Sequence, residues 1–524
     1  MNGIHLMPEI FAFIQARSTS SRLPQKVLQI FSENPNLTIL DHIFNRISQV
    51  LPKDRIVLLI PNSDTPLIEF CKKNSYQYFE GSEQNVRERY ISAALHYKAD
   101  KIIRITGDNP FLDILHVEML TECLFSTNLD LISFYGLPIG MGAEAFTISS
   151  LQFSPPNGFQ DHHNEHVSLH IKEYPENFKI KKFKPFIENS QIELATKIRV
   201  TIDEIEDFNV CQDIHSELKS IPYFGAKEII ELYKNKPEIF IKNSSIQQVS
   251  FKLPSITQST NTPKITIIYA DPDRDGSGHF ERCKILFVLL QSYDFDVEIT
   301  KNLSLKDNSD LYIIDNRDCV VHKYLKRKKI LLLDNFGENS KNFPTFYSIP
   351  NPKLDFDKIK ENVLIPSSLL FFDKIHISAN SILIYAGNLG SSESETLDAF
   401  FLKFYSNYEI IRIGGTKPIS NIKYYPRLSR LSFYSELVRA SIFVSYFGQG
   451  VLEAAVLSKD IILYSISDYH NTLSKHFSLF YPSKNIGYID SLEIPRLNPI
   501  SNQIELKKNG YQNLIHLIQT ILKS

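Results

Sequence analysis

Short apolar runs alternate along the chain with longer segments in which apolar residues recur at helical spacing. The runs at 10–14, 54–60 and 101–106 are rich in β-branched and aromatic residues, and each is too short to form a helix. Continuous apolar strands separated by helices are typical of a parallel sheet that is covered on both faces. The pattern therefore predicts a doubly wound, Rossmann-like α/β domain over residues 1–242.

A polar segment rich in Ser, Thr, Gln and Asn interrupts this pattern at 243–262. A new strand signal follows at 264–269, and strands and helices then alternate in two blocks, at about 263–375 and 376–524. We predict that the polar segment is a linker and that the two blocks are Rossmann-like lobes of a second α/β domain.

The composition excludes several classes of partner and site. The chain carries 57 basic and 59 acidic residues, and this balance favours neither nucleic acid nor a membrane surface as a partner. Its 5 cysteines lie far apart without a CxxC pair, so neither a disulfide framework nor a zinc site is indicated. No apolar run is long enough to span a membrane. We therefore expect a soluble, cytoplasmic protein.

The loop after the first predicted strand concentrates positive charge. Arg17, Arg22 and Lys26 share it with small hydroxyl residues, and Pro24 stiffens its end. Guanidinium and ammonium groups neutralise phosphate oxygens, and small residues let backbone N–H groups approach them. Because open sheets bind ligands at the carboxyl ends of their strands, this loop predicts a polyphosphate site. The alternative is an ordinary solvated basic loop.

Two aspartates follow predicted strands of the same sheet. Asp108 comes just after the run at 101–106, and Asp203 ends a further predicted strand at 199–203. Carboxylates at this edge of a sheet can hold Mg²⁺ against triphosphate oxygens. Together with the basic loop they predict a metal-assisted phosphoryl-transfer site. The alternative for Asp108 is that it caps a helix after Pro110.

A series of motifs along the first domain matches a known family. In order, they include Gln15-Ala-Arg17, Arg22-Leu-Pro24, Lys26-Val-Leu28, Arg104-Ile-Thr-Gly-Asp108 and Glu165-His-Val167. The domain resembles the spore-coat polysaccharide F-type cytidylyltransferases, relatives of the CMP-Kdo and CMP-sialate synthetases. The resemblance implies a GT-A-like nucleotidyltransferase fold that binds CTP and Mg²⁺ and transfers the nucleotide to a sugar acid.

The same resemblance implies roles for individual residues. Asn85 and Gly142 stand where the family usually or frequently has Asp, near the substrate side, so they bear on the identity of the sugar. Arg22 and Lys26 would act in catalysis as well as in binding. The implied residues are Gln15, Ala16, Arg17, Ser20, Arg22 and Lys26 for the nucleotide, Asp108 and Asp203 for the metal, and Glu144 and His166 for the sugar.

A histidine cluster at His162, His163 and His166 could suggest a second metal site. No cysteine or carboxylate completes the set at the usual spacing of metal ligands. We therefore expect solvated or hydrogen-bonded histidines there and no metal.

The second domain opens with a strand, a glycine-containing turn and an amphipathic helix. Residues 271–283 begin like a calcium loop, but the twelfth position is Arg282 instead of Glu and a strand precedes the segment, which excludes calcium. The turn places His279 at the mouth of a cleft, where its imidazole can take a proton from water near neutral pH. The alternative is that His279 only begins the helix.

A second strand, glycine turn and helix at 441–455 contains Gly448 and Glu453. Free N–H groups at such a helix start can hold a diphosphate, and tight packing would equally explain the glycines. Together with Gly276-Ser-Gly-His279 and Arg282-Cys283, this turn resembles the UDP-sugar hydrolase of pseudaminic acid synthesis and its spore-coat G-type relatives.

That resemblance implies a GT-B-like fold with His279 as the catalytic histidine and with nucleotide contacts from Gly448 and Glu453. Two family motifs are altered. Residues 386–389 are Ala-Gly-Asn-Leu instead of Gly-Gly-x-Asp, and His470-Asn471 replaces Asn-Gln.

The two resemblances together predict a bifunctional enzyme of bacterial nonulosonic sugar synthesis for surface glycans. The first domain would transfer CMP from CTP to a sugar acid with release of pyrophosphate, and the second would hydrolyse a UDP-linked amino sugar. A non-catalytic nucleotide-sugar binding module and a glycosyltransferase are the alternatives for the second domain. A homodimer is a further option for the assembly.

Overall fold

The computed structural model describes two compact units, Met1–Asn261 and Thr262–Ser524. Both are α/β, as the alternation of apolar runs and helical segments predicts. Among the helices that the structure describes, none combines the length and the hydrophobicity that crossing a bilayer requires. The described residues are 9–20, 22–33, 35–246, 262–271, 277–301, 308–316, 328–352, 354, 359–372, 380–419, 422–494 and 506–524.

The first unit is built on a 7-stranded sheet with the strand order β5-β4-β1-β6-β8-β7-β9, and β2 and β3 form a separate pair. Its strands are β1 (Ile10–Gln15), β2 (Ile30–Glu33), β3 (Asn36–Thr38), β4 (Ile56–Pro61), β5 (Gln77–Gly81), β6 (Lys101–Thr106), β7 (Leu131–Phe134), β8 (Glu144–Thr147) and β9 (Ile180–Phe183). Its α-helices are α1 (Ile39–Ile47), α2 (Thr65–Asn74), α3 (Val86–Tyr97), α4 (Ile114–Ser126), α5 (Ile148–Gln152), α6 (Asp161–Glu165), α7 (Leu169–Glu173), α8 (Asn189–Ala195), α9 (Ile205–Leu218), α10 (Ala226–Asn235) and α11 (Glu238–Ile241).

Strands β5, β4, β1 and β6 run parallel, so their carboxyl ends lie at one edge of the sheet. The side chains of Phe13 and Leu59 pack with Tyr90 and Ala93 of α3 in the core. This burial explains why the apolar runs form strands without polar alternation. The basic loop and Asp108 both leave the sheet at this edge, since the first follows β1 and the second follows β6.

Gly107 lets the end of β6 approach the end of β1. Its N–H donates to the carbonyl of Gln15 at 2.8 Å, and a Cβ atom at position 107 would lie 2.9 Å from the same oxygen. Any side chain here would therefore push apart the two strand ends that carry the basic loop and Asp108.

Two sequence expectations in this unit need correction. Residues 199–203 do not form a strand: only Arg199 makes a ladder bridge, to Ile139, and Ile202 N–H instead donates to the carbonyl of Asp108 at 2.9 Å. This bond brings Asp203 beside Asp108 without a place in the sheet. The residue that caps the following helix α4 is Asp113, whose carboxylate accepts from His116 N–H, so the capping alternative for Asp108 is wrong.

The second unit contains two sheets whose described strand pairs are all parallel, with 5 strands in the order β11-β10-β12-β13-β14 and 6 in the order β17-β16-β15-β18-β19-β20. Two such sheets agree with the predicted pair of α/β lobes, and the GT-B-like assignment stays a prediction. Its strands are β10 (Lys264–Tyr269), β11 (Asp296–Thr300), β12 (Leu311–Asp315), β13 (Ile330–Leu333), β14 (Thr345–Phe346), β15 (Ser381–Gly387), β16 (Glu409–Gly414), β17 (Lys423–Tyr425), β18 (Ile442–Ser445), β19 (Asp460–Ser465) and β20 (Ser483–Tyr488). Its helices are α12 (Ser277–Ser292), α13 (Leu369–Phe372), α14 (Ser391–Phe404), α15 (Arg430–Arg439), α16 (Gln449–Val456), α17 (Asp468–Phe477) and α18 (Gly510–Lys523).

Only the ends of the predicted linker 243–262 belong to the described residues. Asn243, its first residue, is buried in the first unit, with 2% of its surface exposed. Its side-chain amide is hydrogen-bonded to the carboxylate of Asp207, and this contact explains why a residue in a polar segment is not solvated. Residues 247–261, most of the predicted linker, lie outside the described residues.

Candidate functional site

The basic loop folds back onto the sheet edge. Ser18 N–H donates to the carboxylate of Asp64 at 2.8 Å, and Gln25 N–H donates to the carbonyl of Ser18 at 3.1 Å. Gln25 adopts the left-handed conformation, with φ 51°, and a short 3₁₀ turn follows at Lys26–Leu28. This turn carries the Lys26 side chain towards the ends of the strands.

Lys26 lies between the two predicted metal ligands. Its Nζ contacts Asp108 Oδ2 and Asp203 Oδ1, each at 3.1 Å, and donates to the carbonyl of Ile202 at 2.8 Å. The structure therefore brings Lys26, Asp108 and Asp203 together, although Asp203 is 95 positions beyond Asp108 in the sequence.

The second oxygen of Asp203 is held from the opposite side. Arg199 Nη2 donates to Asp203 Oδ2 at 2.8 Å, and the same guanidinium binds Asp207 through two hydrogen bonds. Burial alone would raise the pKa of Asp203, but Lys26, Arg199 and Arg22 together lower the pKa below its usual value. Asp203 is therefore an ionised carboxylate with one oxygen occupied by Arg199 and the other directed at Lys26.

The remaining loop residues differ in their environments. Arg22 has a side chain that is 58% exposed, and its Nη2 lies 3.5 Å from Asp203 Oδ1. Arg17 is exposed and Ala16 is buried, while Ser20 accepts a long hydrogen bond from Leu23 N–H. Gln15 Oε1 is buried without a hydrogen-bond partner among the described residues. The loop thus presents two exposed guanidinium side chains beside an acceptor oxygen that is still unsatisfied.

The carboxylate pair fits a divalent cation. Asp108 and Asp203 each direct one oxygen at Lys26 Nζ. The ammonium group therefore marks a position at which both carboxylates contact a cation. Carboxylate oxygens are the protein ligands that Mg²⁺ prefers, usually one or two of them together with phosphate oxygens and water. The residues present therefore suit a divalent cation such as Mg²⁺.

Glu144 and His166 share a cationic neighbourhood. Glu144 accepts hydrogen bonds from Ser168 Oγ at 2.6 Å, from Arg104 at 3.4 Å and from Lys172. Burial would raise the pKa of Glu144, but Lys172 and Arg104 outweigh it and lower that pKa to about 2. Burial, with smaller contributions from Arg104 and Lys172, lowers the pKa of His166. The two residues predicted to face the sugar therefore lie near the same pair of cations.

A carboxylate does meet the histidine cluster in space, contrary to the sequence expectation. Glu173 accepts from His162 Nε2 at 3.1 Å and from His163 Nε2 at 2.7 Å. His163 Nδ1 accepts a hydrogen bond from Gln160 N–H, so the neutral ring carries its proton on Nε2. A metal ion bound beside Glu173 would have to coordinate this same Nε2, and it could do so only after the proton had left. The three side chains are joined by hydrogen bonds, and the expectation of no metal stays a prediction.

In the second unit, His279 lies at the start of α12 and is buried. Its Nδ1 lies 2.6 Å from Asp315 Oδ1, at the end of β12. Arg282 binds both oxygens of Asp315 and also donates to Asp334 Oδ2 at 2.6 Å. Burial raises the pKa of Asp315, but Arg282 and His279 outweigh this effect and hold that pKa well below its usual range. An ionised Asp315 thus fixes the orientation of the His279 ring.

Sequence reasoning missed both aspartates of this network. Asp315 ends a buried strand, and Asp334 directly follows another, β13. Asp334 is in turn held by Ser348, whose N–H donates to Oδ1 at 2.7 Å and whose hydroxyl donates to Oδ2 at 2.6 Å. The signal that singles out Asp108, an aspartate just after an apolar run, was therefore present at both positions.

Gly448 and Glu453, the two residues predicted to contact a nucleotide in the second unit, have different surroundings. Gly448 precedes α16 as its N-cap, and a Cβ atom there would meet no atom within 4 Å, so tight packing does not explain this glycine. Glu453 is only 6% exposed and accepts from the hydroxyl of Tyr434 at 2.9 Å. The carboxylate therefore lies behind the turn, and its predicted contact with a nucleotide stays a prediction.

Glu453 gives the second unit a pH-dependent stability. Burial raises the pKa of Glu453 to about 7, although Arg430 and Tyr434 counteract it. A carboxyl group with a folded-state pKa above its unfolded value stabilises the fold at low pH and loses this contribution as the pH rises through 7. We expect the free energy of unfolding to fall by roughly 3 kcal/mol between pH 5 and pH 8 because of this group.

Thermal unfolding of Glu453→Gln and wild type at these pH values measures the effect. The Gln variant should lose most of the pH dependence of the second unit, and the exposed control Glu409→Gln should keep it. Equal slopes in wild type and Glu453→Gln would contradict the raised pKa.

Comparison with known proteins shows the family to which the chain belongs. Residues 11–246 match the family described as "Cytidylyltransferase". The spore coat polysaccharide biosynthesis protein SpsF of Bacillus subtilis is 32% identical over 237 residues, which cover 44% of this chain and 97% of that protein. The chain therefore belongs to the cytidylyltransferase family, and the resemblance predicted for the first domain is confirmed.

Two further proteins each match a little less than half of the chain. An uncharacterised protein of Methanocaldococcus jannaschii is 31% identical over 246 residues, covering 47% of this chain and 98% of that protein. The solved structure of a cytidylyltransferase from Leptospira borgpetersenii is 27% identical and covers 46% of this chain and 100% of that chain, with a TM-score of 0.41. The resemblance of the second domain to a UDP-sugar hydrolase stays a prediction.

Proposed function

We propose that the first unit transfers CMP from CTP to a sugar acid, with release of pyrophosphate. The observation that carries the proposal is the convergence of Lys26, Asp108 and Asp203 at the carboxyl ends of β1 and β6. A carboxylate pair suited to a cation, next to a basic loop, provides the charge stabilisation on which transfer between phosphates depends. The name of the Bacillus subtilis relative, a spore coat polysaccharide biosynthesis protein, supports a sugar substrate.

In this reaction a hydroxyl oxygen of the sugar attacks the α-phosphorus of CTP and loses its proton to solvent, and the bond from that phosphorus to pyrophosphate breaks. Arg22 and Lys26 neutralise the negative charge that develops on the leaving pyrophosphate, while Arg17 and Ser20 hold the remaining phosphate oxygens. Mg²⁺ held by Asp108 and Asp203 would supply further charge neutralisation. Lys26 then exchanges its two carboxylate partners for phosphate oxygens.

In this proposal the nucleoside binds in a cavity beside the basic loop. A cavity of about 570 Å³ is lined by Asn62, Phe79, residues 80–84, Glu88 and Ser92. Thr19 in the basic loop donates to Glu83 in this cavity at 3.4 Å. The volume is within the usual range of small-molecule sites, and the carbonyl and carboxylate acceptors suit the exocyclic amino group of cytosine. These features support cytidine as the nucleoside.

In this proposal the sugar acid binds near Arg104, Lys172 and Glu144. Arg104 and Lys172 together carry two positive charges, and Glu144 neutralises only one of them. The excess charge would attract the carboxylate of a nonulosonic or similar sugar acid, with Glu144 and His166 near its hydroxyl groups.

The test of this function uses the full chain with CTP, Mg²⁺ and a panel of acceptors, and measures released pyrophosphate. Nonulosonic acids and other 2-keto sugar acids should support release, whereas hexose 1-phosphates should not. If only hexose 1-phosphates support pyrophosphate release, the proposal is replaced by synthesis of a CDP-sugar. If none of the acceptors supports release, the sugar acid assignment is contradicted.

Arg22→Ala tests the role of the basic loop. The change removes a charge-assisted contact to phosphate, for which a loss on the order of 2 kcal/mol is typical, so the affinity for CTP should fall more than tenfold. Isothermal titration with CTP measures the effect, and Lys53→Ala, which removes an exposed cation elsewhere in the unit, is the control. Unchanged CTP binding in Arg22→Ala would show that the loop is an ordinary basic surface.

We also propose a second function, hydrolysis of a UDP-linked amino sugar by the second unit. The observation that favours it is the hydrogen bond between His279 and the ionised Asp315, because a carboxylate on Nδ1 leaves Nε2 as the basic nitrogen. Arg430 of α15 also binds Glu281 of α12 at 2.5 Å, which joins the helix that carries His279 to the second sheet of the unit. Water would attack the anomeric carbon, His279 would take its proton, and UDP would leave.

Incubation of the full chain with UDP-sugars distinguishes this function from its two alternatives. Release of UDP without an acceptor supports hydrolysis, and release only with an acceptor sugar supports a glycosyltransferase. Binding of UDP without release in either assay supports a non-catalytic module.

A further inference from the structure

Asn243 makes two long-range hydrogen bonds from the end of the first unit. It follows α11 closely and is 2% exposed. Its Nδ2 donates to Asp207 Oδ1 at 2.9 Å and to the carbonyl of Arg199 at 3.2 Å. A buried amide that is satisfied by a carboxylate and a carbonyl distant in sequence indicates a specific tertiary role.

Asp207 is the centre of a network behind the carboxylate pair. It is 0% exposed and accepts from Arg199 Nε at 3.0 Å and from Arg199 Nη2 at 3.1 Å. Its Oδ2 also accepts from the backbone N–H groups of Asp203 at 3.0 Å and Glu204 at 3.2 Å. The donor from Asn243 completes the shell around this carboxylate, which fixes the backbone at Asp203.

The same network fixes the side chain of Asp203. Arg199 Nη2 bonds both Asp207 and Asp203 Oδ2, so Oδ2 is occupied by a buried cation. Only Oδ1 is left to face the position held by Lys26. The orientation of the predicted metal ligand therefore depends on Arg199, and the position of Arg199 depends on Asp207 and Asn243 at its two ends.

We propose that Asn243 is a positioning residue for the metal-facing carboxylate of Asp203, acting through Asp207 and Arg199. The inference rests on the proposed role of Asp203 as a ligand of a divalent cation. Hydrogen bonds that orient metal ligands contribute 10- to 100-fold to metal affinity in well-studied sites. Asn243 therefore links the chain just after α11 to the residues that orient Asp203.

Asn243→Ala in the full chain tests the proposal, with binding of Mn²⁺ alone measured from the electron paramagnetic resonance signal of the free ion. The dissociation constant should rise about tenfold. The control is Ser244→Ala, which removes the hydroxyl of the exposed neighbour that donates only to the carbonyl of Ile241. It should bind Mn²⁺ as wild type does. With CTP and a sugar acid, the Mg²⁺ concentration for half-maximal rate should rise in Asn243→Ala, while the rate at saturating Mg²⁺ should change little.

The outcomes separate the inference from the function on which it rests. Absence of Mn²⁺ binding to wild type both without and with CTP would overturn the metal assignment itself, and unchanged Mn²⁺ affinity in a folded Asn243→Ala would overturn only the role of Asn243. If the Ala variant does not fold, Asn243→Ser replaces it, because a hydroxyl retains one donor and should give a smaller rise in the same direction. Failure of both variants to fold would also overturn the proposal, since Asn243 would then be a residue of general stability.

Discussion

Asp108→Asn is expected to abolish CTP-dependent pyrophosphate release while the chain remains folded. The amide has almost the shape of the carboxylate but carries no charge, so the pair that suits a divalent cation is reduced to Asp203 alone. Removal of one electrostatic group from such a site costs about 10²- to 10³-fold in rate, and loss of the ion itself would cost more. Pyrophosphate release in the presence of CTP, Mg²⁺ and a sugar acid is the measurement.

The fold should tolerate this change because Lys26 retains two of its three partners, Asp203 and the carbonyl of Ile202. Asp54→Asn makes the same chemical change at an exposed position and should leave the rate as in wild type. UDP release by the second unit provides an internal control for the integrity of the variant. Full pyrophosphate release by Asp108→Asn would remove Asp108 from the mechanism.

His279→Asn should reduce UDP release by about 100-fold or more, the usual contribution of general acid–base catalysis. Asn retains hydrogen bonding to Asp315 but has no basic nitrogen to take the proton of the attacking water. Because the imidazole acts in the chemical step, the affinity for UDP should change little. The experiment compares UDP release and UDP binding for the two full-length proteins.

His516→Asn is the matched control, since His516 is an exposed histidine on the C-terminal helix. It should release UDP at the wild-type rate. Equal release by wild type and His279→Asn would exclude the proposed base, and binding of UDP without release by either protein would favour the non-catalytic module.

The strands that carry the site were predictable because each depends on local pattern. β6 has the predicted bounds, 101–106. β4 starts at Ile56, 2 residues after the start of the predicted run at 54–60. Strand β4 is fully buried, and β6 combines buried isoleucines with half-buried Lys101, Arg104 and Thr106, so a short run rich in apolar and β-branched residues was enough to predict each strand. The segment at 199–203 also contains β-branched residues but is not a strand, because its N–H groups donate to the carbonyls of Ile139 and Asp108 and to the carboxylate of Asp207 instead of to a continuous ladder.

The side-chain network around the site could be predicted only in part. Asp108 and Asp203 were identified because each follows an apolar run and because the family resemblance supplied a role. Arg199 and Asn243 lie at ordinary positions of the sequence, and only tertiary contact joins them to Asp207. Glu173 likewise meets His163 from 10 residues away, on a neighbouring helix. Spacing along the chain does not encode such contacts, which depend on how the elements pack.

The position of Lys26 between Asp108 and Asp203 has a thermodynamic consequence for the order in which ligands enter. In the free protein the ammonium of Lys26 contacts both carboxylates, so a divalent ion binding alone would leave Lys26 without an anion. In the proposed reaction the metal ion would occupy Asp108 and Asp203, and the triphosphate of CTP would offer Lys26 phosphate oxygens as new partners. Nucleotide and metal should therefore bind with positive cooperativity, and linkage requires that each strengthens the other by the same factor. Under the proposed metal assignment, the protein takes up nucleotide and metal as a unit.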